Sequence, residues 1–129
     1  IPVIGYKTDK RPLFYTSTSK YPLDIHADSA EELARILHTS DVLGLKQGSL
    51  IVNPCPEKYS LDADRMEGKI EEALARMEKD HVTGKKVTPY LLSKLVGLTG
   101  GKSLETNRAL IENNAYVGGL LAKALLELK

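Results

Sequence analysis

Residues 48–56 read Gly-Ser-Leu-Ile-Val-Asn-Pro-Cys-Pro. The apolar centre is unbroken by any polar residue, which describes a strand covered on both faces, as strands of parallel sheets are. Asn53-Pro54-Cys55-Pro56 ends it, because prolines cannot donate to a ladder. Upstream lies a well-signed helix. Ser29 is an N-cap with Glu32 three residues later, a capping box. Leu33, Ile36 and Leu37 follow at helical spacing, and Gly44 is a stop. Ahead of that helix stand three short β-favouring runs, Val3 to Tyr6, Phe14-Tyr15-Thr16 and Leu23 to Ala27, punctuated by Pro12 and Pro22. Strand, helix, strand is the building unit of an α/β sheet. The polar stretch Thr16-Ser17-Thr18-Ser19-Lys20 reads as an exposed or ligand-facing loop.

The remainder is helical. A second helix is expected from about Asp64 to Asp80, with Asp62 as cap and Ile70, Ala73, Leu74 and Met77 on one face. Thr83-Gly84-Lys85-Lys86 is a turn. Thr88 then caps a third helix with Pro89 at its first position. Thr99-Gly100-Gly101-Lys102-Ser103 stops that helix and starts a fourth, glycine closing the one and Ser103 capping the other. The fourth runs toward Leu128, with Leu104, Ile111, Leu121 and Leu125 expected to face a core. Gly118-Gly119 weakens its middle and permits close packing. The fold class is α/β: short strands and one helix, then a mainly helical tail. With 129 residues, 42% of them hydrophobic, one domain with a real core is expected.

Bulk properties exclude several classes of partner. Lys plus Arg is 18 against 17 Asp plus Glu, so a net charge of +1 gives no general pull toward nucleic acid or a membrane. Trp is absent and aromatics are scarce, which leaves no platform for base stacking. Cys55 has no internal disulfide partner, in keeping with a reducing, cytoplasmic setting. No apolar run approaches a membrane span. Ile1-Pro2-Val3-Ile4 reads as a strand already under way, without the charged and apolar regions of a signal peptide. A piece of a longer protein is expected.

Gly97-Leu98-Thr99-Gly100-Gly101-Lys102-Ser103 invites a phosphate-loop reading, but Gly97 leaves three residues before the Gly-Lys pair where the motif needs four. It also follows a helix instead of a strand. An anion at the helix start remains open. His26, His38 and His81 are scattered, each without a second ligand at metal spacing. Cys55, between two prolines, has no neighbouring base or cation to make it a nucleophile. Asp62, Asp64, Glu67, Glu71 and Glu72 are a helix start and its solvated face, and Lys85-Lys86 a solvated turn. Asn53 sits at the carboxyl end of a parallel strand, where open α/β sheets bind ligands; equally, it stabilises the turn that follows. Asn107, Asn113 and Asn114 are poor helix formers on an otherwise apolar helix. They either read a polar partner or bond to neighbouring loops.

Together these stretches resemble the carboxyl-terminal part of the pseudouridine-5′-phosphate glycosidase, or indigoidine synthase A-like, family. The matching segments are Pro2-Val3-Ile4-Gly5-Tyr6-Lys7-Thr8, Pro12-Leu13-Phe14-Tyr15, Asp28-Ser29-Ala30-Glu31-Glu32 and Gly48-Ser49-Leu50-Ile51-Val52-Asn53-Pro54. They continue through Thr83-Gly84-Lys85, Thr88-Pro89-Tyr90-Leu91-Leu92, Leu98-Thr99-Gly100-Gly101-Lys102-Ser103-Leu104, Asn107 and Asn113-Asn114-Ala115. They follow the family's order over nearly the whole chain. Cys55 departs from a usual aliphatic residue and Tyr90 from a usual Phe.

The resemblance implies one α/β/α domain, of which this chain is the carboxyl-terminal part, and an enzyme that reversibly cleaves the C–C bond of pseudouridine 5′-phosphate to uracil and ribose 5-phosphate. It implies a lysine Schiff base with the opened sugar, a glutamate proton donor, a divalent metal, typically manganese, and a homotrimer. The imine supplies the electron sink that C–C cleavage needs. The lysine, the glutamate, the metal ligand and the phosphate-binding residues all belong before the position of Ile1, so no catalytic or metal-binding residue is assigned in this chain. The contact that carries over is the asparagine that meets uracil, which on the Ser-Leu-x-x-Asn motif is Asn107. A carboxamide matches uracil's N–H and C=O edge. Asn53, Asn113 and Asn114 then read as structural groups. Two other readings are a non-catalytic fragment or subunit packed on a partner that supplies the site, and a sugar-phosphate binding module.

Overall fold

A computed structural model describes residues 1–13, 15–17 and 19–128. Its centre is a parallel sheet of three short strands, β1 (Val3–Tyr6), β2 (Ile25–Ala27) and β3 (Leu50–Val52), in the order β2-β1-β3. The register pairs Ile4 with Ile25 on one side and with Ile51 on the other. Paired residues in a ladder share a face, so these three isoleucines point one way, and Tyr6 and Ala27 join them two residues on. Helix α1 (Ala30–Val42) carries the chain from β2 over β1 to β3. This is the strand–helix–strand unit read from the sequence.

The start of α1 is built as its residues suggest, with one change. Ser29 Oγ accepts from the Glu32 amide at 3.1 Å, but the Glu32 carboxylate reaches back to the Asp28 amide at 2.9 Å, one residue before the capping-box target. Gly44, at φ 73°, ends the helix in the left-handed region. The other strand readings shift. Of the run Phe14-Tyr15-Thr16, Phe14 lies outside the described residues, Tyr15 is in a turn, and Thr16 forms an isolated bridge with Leu13. β3 is an edge strand whose second face is covered only in part. Ile51 packs into the core while Leu50, on the opposite face, is 53% exposed.

Five further elements follow β3 among the described residues. A 3-10 turn spans Glu57–Tyr59, α2 is Ala63–Lys79, a second 3-10 turn is Gly84–Lys86 and α3 is Val87–Leu98. Helix α4 is Lys102–Glu127. Asp62 caps α2, accepting from the Arg65 amide at 2.8 Å. The second 3-10 turn runs straight into α3, so Thr88 and Pro89 lie inside its first turn and Thr88 is not the cap. Pro89 is tolerated there because a first-turn amide has no intrahelical acceptor. None of these helices is long and apolar enough to cross a membrane, among the described residues.

The α3–α4 junction also differs from expectation. Gly100 and Gly101 are both left-handed, at φ 59° and 85°, and Gly101, not Ser103, is the N-cap position. Thr99 does the capping for both helices. Its hydroxyl donates to the Leu95 carbonyl at 2.7 Å and accepts from the Ser103 amide at 3.0 Å. Ser103 is buried inside the first turn of α4, and its Oγ has no hydrogen-bond partner among the described residues.

Two clusters form the core. In the first, Ile4, Tyr6, Ala27, Ala30, Leu33 and Ala34 meet Val117 and Ala124 of α4. In the second, Tyr15, Met66, Ala73 and Leu95 join α2, α3 and the loop before β2. Helix α4 packs into the first, through Val117, Ala124 and their neighbours. Leu121 and Leu125 pack as expected, but Leu104 and Ile111 are 58% and 60% exposed. The buried line on α4 is instead Ser103, Thr106, Ala109, Val117 and Ala124, a stripe of small residues that suits close helix approach. Gly118 and Gly119 are exposed, with nothing near a would-be β-carbon, so they mark no close packing.

Candidate functional site

The carboxyl ends of β1 and β3 open onto a cleft of about 440 Å³, lined by Tyr6, Lys7, Asn53, Cys55, Asn113 and Tyr116 among others. Each comes from an element that fixes it. β1 delivers Tyr6, and the chain turns at Lys7 in the left-handed region, φ 54°. The Lys7 amide is held by the Ala27 carbonyl at 2.8 Å, and its ammonium stands 5.6 Å from the centre of the Tyr6 ring. β3 delivers Asn53. Helix α4 brings Asn113, Tyr116 and Val117 from the other side.

Asn53, Asn113 and Asn114 form a connected cluster. Asn113 Nδ2 donates to Asn53 Oδ1 at 2.6 Å and lies 3.4 Å from the Pro54 carbonyl. Asn53 Nδ2 in turn donates to Asn114 Oδ1. The sequence left Asn53 between a ligand role and a turn role, and the α4 asparagines between a partner and a loop. The structure brings them to one another. The bonds span sixty residues of chain, which no local periodicity reveals. Lys7 was quoted only within a motif; its place at a strand end is the signal that marks it.

Asn107 lies on α4 about two turns before this cluster, half-buried and outside the cleft lining. Its amide has no hydrogen-bond partner among the described residues. The preceding residue, Thr106, is buried, and its hydroxyl donates to the Tyr59 carbonyl at 2.6 Å. Asn107 therefore sits beside the 3-10 turn that follows the cleft's Pro54-Cys55-Pro56 wall.

The other candidates stay apart. Cys55 is buried, its thiol 3.9 Å from the Thr106 carbonyl, and burial raises its pKa, so it is a poor nucleophile. His26 is on β2, His38 on α1 and His81 just after α2. Among the described residues no three His, Cys, Asp or Glu side chains gather to hold a metal. Tyr90, the departure from Phe, donates its hydroxyl to Asp80 at the end of α2, and that bond raises its pKa.

Comparison with known proteins adds a lineage. Residues 1–124 match the family described as indigoidine synthase A like protein. The chain is 48% identical over 125 residues to a pseudouridine-5′-phosphate glycosidase of Geobacillus kaustophilus and 44% identical to one of Symbiobacterium thermophilum. These alignments cover 97% of this chain and 42% and 41% of those proteins, so the chain spans about two fifths of their length. Its fold superposes on the prealnumycin C-glycosynthase AlnA, solved in complex with ribulose 5-phosphate, with TM-score 0.86 and 29% identity, over 99% of this chain and 42% of that one. An indigoidine synthase A-like protein of Thermotoga maritima gives TM-score 0.79 and 32% identity, over 99% and 41%. With the match running through β1, the capped α1, the strand-end Asn53 and nearly all of α4, this chain belongs to the indigoidine synthase A-like family.

Proposed function

We propose that this chain is the carboxyl-terminal part of an enzyme that reversibly cleaves the C–C glycosidic bond of pseudouridine 5′-phosphate, giving uracil and ribose 5-phosphate. The observation that carries this reading is the 48% identity, over 125 residues, to a protein of that name. Ribulose 5-phosphate, the ligand of the C-glycosynthase with the same fold, is an open-chain pentose phosphate, the class of sugar such a cleavage releases. The Schiff-base lysine, the glutamate acid and the metal, manganese by resemblance, are assigned to the part of the enzyme outside this chain. No ligand set among the described residues fits the metal. The enzyme is assigned to the cytoplasm, on the one cysteine of this chain, Cys55, which is free, and to a homotrimer by resemblance.

Within this reading Asn107 binds substrate. Its amide is unpaired among the described residues, and a carboxamide supplies the donor and acceptor that uracil's polar edge requires. In the complete enzyme, Asn107→Ala should lower kcat/KM about ten- to a hundred-fold, the loss of a desolvated hydrogen bond of about 1–3 kcal/mol. Asn107→Asp should be worse near neutral pH, because a carboxylate only accepts. Steady-state kinetics check this; wild-type kcat/KM in Asn107→Ala would remove Asn107 from the site.

The reading of a non-catalytic subunit draws on one observation. Ile25 and Leu50, on the two edge strands, are 39% and 53% exposed and leave apolar surface for a partner to cover. An enzyme whose sheet continues into its missing part covers the same edges, and the family membership favours that.

A further inference from the structure

Asn53 grips two neighbouring residues of α4 at once. Its Oδ1 accepts from Asn113 and its Nδ2 donates to Asn114. Neighbouring helix residues point about 100° apart, so one amide that holds both fixes the rotation of the helix about its axis. A second clasp lies further along. The Thr106 hydroxyl has a single proton, and the Tyr59 carbonyl at 2.6 Å is a closer acceptor than the Lys102 carbonyl at 3.0 Å. Both clasps join α4 to the same segment, residues 53–59. Asn107 lies between them. It is adjacent to Thr106 and seven residues before Asn114, a spacing that returns to within about 20° of the same face, about 10 Å along the axis.

We propose that Asn53, acting through Asn113 and Asn114, is a positioning residue that sets the rotation of α4 and so aims the Asn107 amide at the uracil ring. This rests on the reading of Asn107 given above. The magnitude follows from geometry. A side-chain tip lies about 5–6 Å from the helix axis, so a turn of about 20° carries the Asn107 amide about 2 Å. A misplacement of about 1 Å is enough to cost up to a hundred-fold in rate. Asn53 and Asn113 are only half-buried and Asn114 is exposed, so the cluster contributes modestly to global stability, but its two-point grip makes it a strong contributor to orientation.

The test is a double-mutant cycle in the complete enzyme, read as kcat/KM for pseudouridine 5′-phosphate with thermal unfolding alongside. Asn53→Ala should lower kcat/KM about tenfold in the wild-type background and less than about twofold in the Asn107→Ala background, where nothing is left to aim. Equal losses in both backgrounds, or no loss in the first, would overturn the proposal. Should Asn53→Ala fail to fold, Asn114 supplies the comparison. Asn114→Asp keeps the oxygen that Asn53 donates to and should retain most activity, while Asn114→Ala should lose about as much as Asn53→Ala; equal effects of the two would overturn it. Wild-type activity in Asn107→Ala itself is a separate outcome. It would remove the base contact first and the positioning role with it, whereas an impaired Asn107→Ala beside an additive Asn53→Ala removes the positioning role alone.

Discussion

At the scale of single residues, the junction at Thr99 shows how much one hydroxyl can organise. It closes α3 through the Leu95 carbonyl and opens α4 through the Ser103 amide, and the two left-handed glycines give it room to reach both. Removing it by Thr99→Val, which keeps the shape, should destabilise the protein by about 1–2 kcal/mol, while Thr99→Ser should stay close to wild type. Chemical denaturation of the two variants checks this, and equal stabilities would show that the bonds carry nothing. Residue identity alone suggested Ser103 for this role, since serine is a favoured cap. What decided against it was the backbone. With Gly100 and Gly101 both at positive φ, the helix starts two residues earlier than a Ser103 cap would place it, and Ser103 turns inward. The same limit applies to Asn53. Its type and its place at a strand end were legible, but not that its partners lie on α4. By contrast, Ser29 and Asp62 were readable as caps because a cap bond spans only three residues.

At the scale of elements, the strands were the least legible part. β1, β2 and β3 have four, three and three residues, so periodicity has little length over which to show. The parallel pairing was legible from the capped helix between two apolar runs. The covering of β3 was not, because nothing local in Leu50-Ile51-Val52 says that the second face is covered only in part. The helices were found at nearly their true bounds, α1 and α2 above all, where the caps are as read, but on α2 Met66 and Ala73 are buried while Ile70 and Leu74 of the expected face are exposed. On α4 the buried line was misplaced, since Leu104 and Ile111 yield the core to the smaller Thr106, Ala109 and Val117. The centre of the sheet carries its own constraint. Gly5 is buried on β1, and a β-carbon there would overlap the Thr8 carbonyl and come within 2.8 Å of Leu23 Cδ1. Thr8 and Leu23 therefore lie directly on the sheet at Gly5. Gly5→Ala should cost about 1–3 kcal/mol as overpacking against backbone. Gly48→Ala, where nothing lies within 4 Å, should change stability little. Thermal unfolding of the pair checks it; indistinguishable transitions would mean that Thr8 and Leu23 move away freely.

At the scale of the whole molecule, the parts have a division of labour. The β2-β1-β3 sheet with α1 is a frame, α2 and α3 form a flank, and α4 crosses from flank to frame with Asn107 near its start and the asparagine cluster at its middle. The chain spans 42% of the length of its Geobacillus relative. Under the proposed reading this chain supplies Asn107, on α4, and the rest of the enzyme supplies the catalytic groups. Family membership was legible in the sequence because it rests on many short motifs in order, each set by backbone demands such as Gly5, Gly100-Gly101 and the strand-end Asn53. The division between this chain and the rest of the site is a statement about residues that it does not contain, and only chemistry tests it. The most direct measurement is release of uracil from pseudouridine 5′-phosphate by the complete enzyme that carries this sequence, with the isolated chain assayed beside it. The account predicts release by the complete enzyme and none by the chain alone; no release by the complete enzyme, or turnover by the isolated chain, would contradict it.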